Sequence, residues 1–272
     1  MRKLAYILGA ALLVLSAAAC SRQELPGNET VTVRFNVAPA TEAMIGTKSA
    51  YDDWQLLVGV FDASGNALAG LEKKVVSADA SGFFSFDLSL VEALSYKVVL
   101  LAQYPNRYVN SVNSASWTAA SLRAVSLAGT GFSTENDDLF TASLTVNPAD
   151  GNSVNVTLSR PLARVNVATS ANLDDITKAR FEFFGLPDTL DALTGETSGT
   201  KNIVVEGAPV GGTYADTGYN FIGYAYVPAR ATATSITATV TLSDDSGPVR
   251  PKKTIENLPL QRNRRTNVLG NI

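Results

Sequence analysis

The sequence predicts an all-β protein made of two β-sandwich domains in tandem. Three observations lead there. Short apolar segments recur with period two and are separated by turn residues. Thr, Ser, Val, Ala and Asn are abundant, a mixture that suits β-branched strands and polar turns. No long amphipathic helical repeat occurs in the 272 residues.

The chain starts with Met1-Arg2-Lys3, followed by an apolar run from Leu4 to Ala19 and then Cys20, the one cysteine in the sequence. A basic start, an apolar stretch and a small-residue boundary make a secretory signal over residues 1–19. The run is shorter than the ~20 apolar residues that span a bilayer. A cysteine at the cut point resembles the lipobox of bacterial lipoproteins, so Cys20 is expected to be acylated. Ala17-Ala18-Ala19 also fits plain secretion. Several acyl chains on one residue would give firm anchoring, which a single chain does not. Residues 20–28 are polar and carry Pro26 and Gly27, so they read as a tether.

Thr30 to Val37 alternates strictly and predicts a half-buried strand. Val31, Val33, Phe35 and Val37 share one face; Thr32, Arg34 and Asn36 share the other. Leu56 to Asp62 predicts the next strand, and Asp62-Ala63-Ser64-Gly65-Asn66 a turn. Phe84, Phe86 and Leu88 alternate. Lys97 to Tyr104 is nearly continuous in its apolar part, which predicts a central strand covered on both sides. Residues 105–140 read as irregular, with one helical turn near Trp117. Leu144 to Val146 and Val154 to Leu158 read as a hairpin across Asn147 to Asn152. Arg160-Pro161 is the expected domain joint, dividing residues 29–159 from 160–272. In the second domain Ala163 to Val167, Phe181 to Phe184, Phe221 to Val227 and Ile236 to Leu242 predict strands. Asn172 to Lys178 predicts one or two helical turns, and Asp244 to Gly247 a hairpin turn. A last strand is expected from about Thr266 to the end.

Composition narrows the function. His is absent, which excludes Ser-His-Asp and Cys-His catalysis and histidine–zinc sites. The formal charge is −3 and becomes more acidic if Arg2 and Lys3 are removed, which argues against a nucleic-acid partner. Cys20 has no partner in the chain, so stability must come from apolar burial and sheet hydrogen bonds. No catalytic residue, cofactor or metal site is assigned. Glu135-Asn136-Asp137-Asp138 lacks the alternate-residue spacing of a calcium loop and reads as a solvated turn. Arg262, Arg264 and Arg265 read as a charged edge that resists wrong pairing, or as a contact for an acidic neighbour. Trp54, Trp117, Tyr104 and Tyr108 read as core or sheet-edge aromatics, with a sugar-stacking platform as the alternative.

Several segments resemble the fimbrillin-like family, the type V pilus subunits of Bacteroidales and their lipoprotein relatives. Arg160-Pro161-Leu162-Ala163-Arg164-Val165-Asn166-Val167 resembles the strand that opens that family's second domain. Leu186-Pro187-Asp188-Thr189-Leu190-Asp191 resembles its mid-domain segment. Asn257 to Asn271 resembles its C-terminal signature. The resemblance covers most of residues 20–272 and implies two transthyretin-like β-sandwiches. It further implies assembly by strand exchange: a protease removes the first strand and a neighbour's strand fills the groove, a form of β-augmentation. Carried over, the plug strand holds Val31, Val33, Phe35 and Val37. The donor segment holds Thr266, Asn267, Val268, Leu269 and Ile272. Lys48, in Gly46-Thr47-Lys48-Ser49, is the candidate cut site. No Arg stands in that loop, a departure from an Arg-cleaved pilin that favours an uncleaved, anchor-like subunit. The implied partners are other fimbrial subunits or a second copy, outer-membrane lipid through Cys20, and host or bacterial surface ligands. A glycan-binding surface lipoprotein on the same fold is the alternative reading.

Overall fold

The computed structural model describes residues 29–38, 53–76, 78–79, 82–110, 117–127 and 131–272. Cys20, the signal and tether readings, and Lys48 lie outside the described residues.

In chain order the strands are β1 Thr30–Ala38, β2 Gln55–Asp62, β3 Lys73–Val76, β4 Phe84–Val91, β5 Tyr96–Gln103 and β6 Val125–Ser126. Next come β7 Leu139–Val146, β8 Ser153–Thr157, β9 Leu162–Thr169, β10 Lys178–Leu186, β11 Thr189–Asp191 and β12 Glu196–Ser198. The last six are β13 Lys201–Gly207, β14 Asn220–Pro228, β15 Thr234–Asp244, β16 Gly247–Pro248, β17 Lys253–Leu260 and β18 Arg265–Gly270. Helix is confined to short 3-10 turns among the described residues, the longest being Ala119–Arg123 beside Trp117.

The first sandwich packs sheet β4-β1-β8 against sheet β3-β2-β5-β7. Alternation drives this packing. Val33, Phe35 and Val37 point inward with no exposed surface and meet Leu56, Val58, Val60, Val98 and Leu100 in one core. Thr32, Arg34 and Asn36 stay on the solvent side. The second sandwich packs β14-β9-β18 against a sheet in which β15 joins β10 and β13 on one side to β16 and β17 on the other. Its core gathers Val165, Val167, Phe181, Phe183, Ala225, Val227 and Val240.

A third apolar cluster joins the two sandwiches. Leu57, Phe61, Val99 and Leu101 leave the outer face of β2 and β5 and meet Trp117, Leu122, Leu190, Leu193 and Tyr226. Strands β2 and β5 are therefore buried on both faces, as the continuous apolar run of β5 predicts. Gly59 permits the close approach: a Cβ there would lie 2.9 Å from Leu122 Cδ1 and 3.1 Å from Ala119. The small sheet β12-β11-β6 completes the join, with Ser126 opposite Thr189 and Val125 opposite Leu190.

Two local expectations are corrected. The segments around Asn147–Asn152 do not form a hairpin. β7 pairs antiparallel with β5, whereas β8 pairs parallel with β1 in the opposite sheet. Pro148 opens a single 3-10 turn that carries the chain from one layer to the other. Residues 172–177 form turns without helix. The Asn172 side chain accepts from the Asp174 N–H at 3.0 Å and donates to the Asp174 carboxylate at 2.7 Å, which competes with helical bonding. Elsewhere local chemistry acts as expected: the Asp244 carboxylate accepts from Ser246 and Gly247 N–H groups and closes the β15–β16 hairpin.

Candidate functional site

β1 is the central strand of its sheet. It pairs with β4 over eight positions, from Thr30 opposite Val91 to Val37 opposite Phe84. Along its other edge it pairs in parallel with β8, from Arg34 opposite Ser153 to Ala38 opposite Thr157. Phe35 also stacks on Phe86, with centroids 4.8 Å apart and planes 3° apart. Val31 is half-buried at the strand's start. Taking β1 away would leave a slot between β4 and β8, with unpaired backbone groups on both walls and an apolar floor.

The C-terminal segment is docked on its own chain. β18 pairs in parallel with β9, with Thr266 opposite Val165, Asn267 opposite Asn166, Val268 opposite Val167 and Leu269 opposite Ala168. Val268 packs on the second core, whereas Leu269 is exposed. Ile272 closes the core, and its N–H donates to Thr169 Oγ1 at 3.1 Å. β18 ends the order β14-β9-β18, so one of its edges carries no strand among the described residues. A donor role would require this segment to undock.

The run Glu135–Asp138 is not a solvated turn. Asp137 and Asp138 are 2 % and 0 % exposed. Asp138 accepts from Arg160 Nε at 2.6 Å and Nη2 at 2.5 Å, and Asp137 is paired with Arg107. Arg160 is held between Phe140 of the first sandwich and Tyr226 of the second, at 5.2 and 5.1 Å from their centroids. Glu135 accepts from Arg164 at 3.1 Å and from the Tyr226 hydroxyl. Burial pushes the Asp138 carboxyl up to about 6, against the opposing pull of Arg160. Burial also raises Asp137, with Arg107 pulling it back. The Tyr226 hydroxyl is raised by burial and then by Asp138. These charges clasp the two sandwiches and leave no open cation cage. Among the described residues no three His, Cys, Asp or Glu side chains gather as a metal site.

Phe132 extends this clasp into the second sandwich. Its ring packs 5.1 Å from Phe181, and Ser133 exchanges hydrogen bonds with the Tyr224 backbone at 2.8 and 3.0 Å. A Cβ on Gly223 would lie 2.4 Å from the Phe132 ring. Gly223→Ala is therefore expected to cost about 1–3 kcal/mol by overpacking, read as a lower urea midpoint.

The four aromatics weighed for a sugar platform do not form one. Trp54 is buried in the first core and Trp117 in the joining cluster. Tyr104 packs on the first core, and the Tyr108 hydroxyl donates to the Asp137 backbone oxygen. The arginine cluster also divides. Arg262 donates to the Gly195 carbonyl at 2.6 Å, while Arg264 and Arg265 are exposed.

The architecture defines a class: tandem β-sandwiches of the kind found in fimbrial proteins of Bacteroidales. A fimbrial assembly protein from Parabacteroides distasonis is similar at 13% identity, with 89% of this chain and 91% of that chain covered and a TM-score of 0.51. A candidate adhesin from Bacteroides ovatus is similar at 16% identity, covering 92% and 88%, with a TM-score of 0.55. A candidate polysaccharide-binding protein (DUF1812) from Bacteroides thetaiotaomicron is similar at 14% identity, covering 87% and 90%, with a TM-score of 0.50. No curated protein matches the chain. The chain belongs to the family of unknown function DUF6562, matched over residues 24–272. The fimbrillin-like resemblance read from the sequence holds at the level of fold.

Proposed function

We propose that this protein is a structural or adhesive subunit of the fimbrial type, tethered to the outer membrane through acylated Cys20 and joined to neighbours by strand exchange. It works by docking and turns over no substrate. The observation that carries the reading is the central position of β1, laddered on both edges over an apolar floor. Such a strand is a self-supplied plug, and a donated strand of matching alternation could replace it. The replacement would have to bury Val33, Phe35 and Val37 equivalents, at about 1.5–3 kcal/mol each. The full ladder on β1 also fits a plug retained until a protease cuts beyond it, with Lys48 as the candidate site; that cut would free the subunit from Cys20, so the lipid tether belongs to the uncleaved chain. The partners are other subunits or a second copy, and the donor is the segment from Thr266 to Ile272.

Mass spectrometry of the envelope-derived protein tests the address; an acylated Cys20 at the mature N-terminus is expected. Cys20→Ala should move the protein from membrane to soluble fractions, and continued membrane association would remove the lipid tether. Limited trypsin digestion should cut first at Lys48, after which heat-resistant oligomers should form. Deleting residues 266–272 should abolish them in a chain that still melts cooperatively. Oligomers that persist without the segment would reject it as donor.

A further inference from the structure

A cleft of about 430 Å3 opens at the rim of the joining cluster, on the outer face of β5 and β7. That size lies within the ~300–1,000 Å3 of small-molecule sites. Both sandwiches build it. The first supplies the Ser64–Gly65 turn, Lys97, Arg123 and Thr145; the second supplies Leu193 and Thr194. The Ser143 hydroxyl donates to the Leu193 carbonyl at 2.8 Å and fixes the second sandwich's turn in place.

The two cations differ. Arg123 donates through Nε and Nη2 to Asp191 at 3.2 and 3.1 Å, so its charge is compensated and it forms a wall. Lys97 stands opposite Thr145 on the neighbouring strand, half-buried, and makes no ion pair among the described residues. The Ser64 and Thr145 hydroxyls are exposed beside it. A half-buried cation without a counter-charge attracts an anion, and hydroxyls around it match a polyhydroxylated ligand. Leu193 supplies the apolar side chain of the cleft wall, since Leu144 turns its own side chain to the first core.

We propose that this cleft binds an acidic sugar, with its carboxylate or sulfate on Lys97 and its ring hydroxyls against the Ser64, Thr145 and Thr194 side. The site is independent of strand exchange and needs only the docked sandwiches.

The test is titration calorimetry on the full chain with galacturonate, glucuronate, N-acetylneuraminate and a sulfated hexosamine, with galactose as the neutral control. At least one acidic sugar should bind and galactose should not; the carboxylated and sulfated probes separate the two sources of charge. Lys97→Gln should weaken binding roughly tenfold or more, with an unchanged melting temperature, and Lys97→Arg should retain it. Raising NaCl from about 0.05 to about 0.5 M should weaken it as well. Three results would overturn the assignment: no acidic sugar binds, Lys97→Gln binds as the parent does, or a Glu-rich peptide binds where the sugars do not.

Discussion

Arg160→Met should lower folding stability by about 3–5 kcal/mol, because it strands the carboxylate of Asp138 in the joint between the sandwiches. The residue is 7 % exposed, and its side chain makes two short bonds to Asp138 and lies against rings from both sandwiches. Combining Arg160→Met with Asp138→Leu should recover most of the loss, since a buried ion pair replaced by apolar groups is often neutral. Urea unfolding of the parent, both single variants and the pair closes the cycle. Equal losses in the single and paired variants would show that the packing of Arg160, not its charge, holds the joint.

The same pair sets a pH dependence. The folded Asp138 carboxyl titrates near 6, above the ~4 of an unfolded Asp, so the folded chain holds that proton more tightly. The group's contribution becomes unfavourable as pH rises from about 4 to about 6 and is constant above that window. Asp138→Asn should remove this part of the slope, so its stability relative to the parent should rise between pH 4 and 6. Urea midpoints at pH 4, 5, 6 and 7 read both effects.

Local periodicity made much of this fold legible, and long-range pairing hid the rest. The alternation of Val31, Val33, Phe35 and Val37 marks a one-sided strand, and β1 is one. The apolar run at Val98–Ala102 announces burial on two faces, and both cores receive it. What covers the second face could not be read. It is built from β6 and β11, strands of two and three residues that meet across more than sixty positions of sequence. So short a strand carries no period. Glu135–Asp138 misled for a related reason: acidic residues beside a turn look solvated until the distant partners Arg107, Arg160 and Arg164 are placed. The parallel pairing of β8 with β1 was hidden in the same way, since turn chemistry at Pro148 specifies a reversal but not which sheet receives the strand.

The β1 slot predicts a behaviour that ordinary core damage would not produce. Phe35→Ala should cost about 3–5 kcal/mol, because the ring is fully buried and the slot cannot collapse around the void. The stack on Phe86 adds to the loss. A replaceable plug, once weakened, should be displaced by a better strand. A synthetic peptide of residues 29–38 added to Phe35→Ala should therefore raise its melting temperature in a concentration-dependent way, as a ligand of the native state does. The same peptide carrying Val33→Asp should fail, since a charge would enter the apolar floor. The comparison variant is Phe181→Ala, which opens the second core, where no plug is invoked. Rescue of the β1 variant alone would mark a slot built to accept a strand in trans. Rescue of neither would mean that β1 is an ordinary strand, and assembly by its exchange would have to be abandoned.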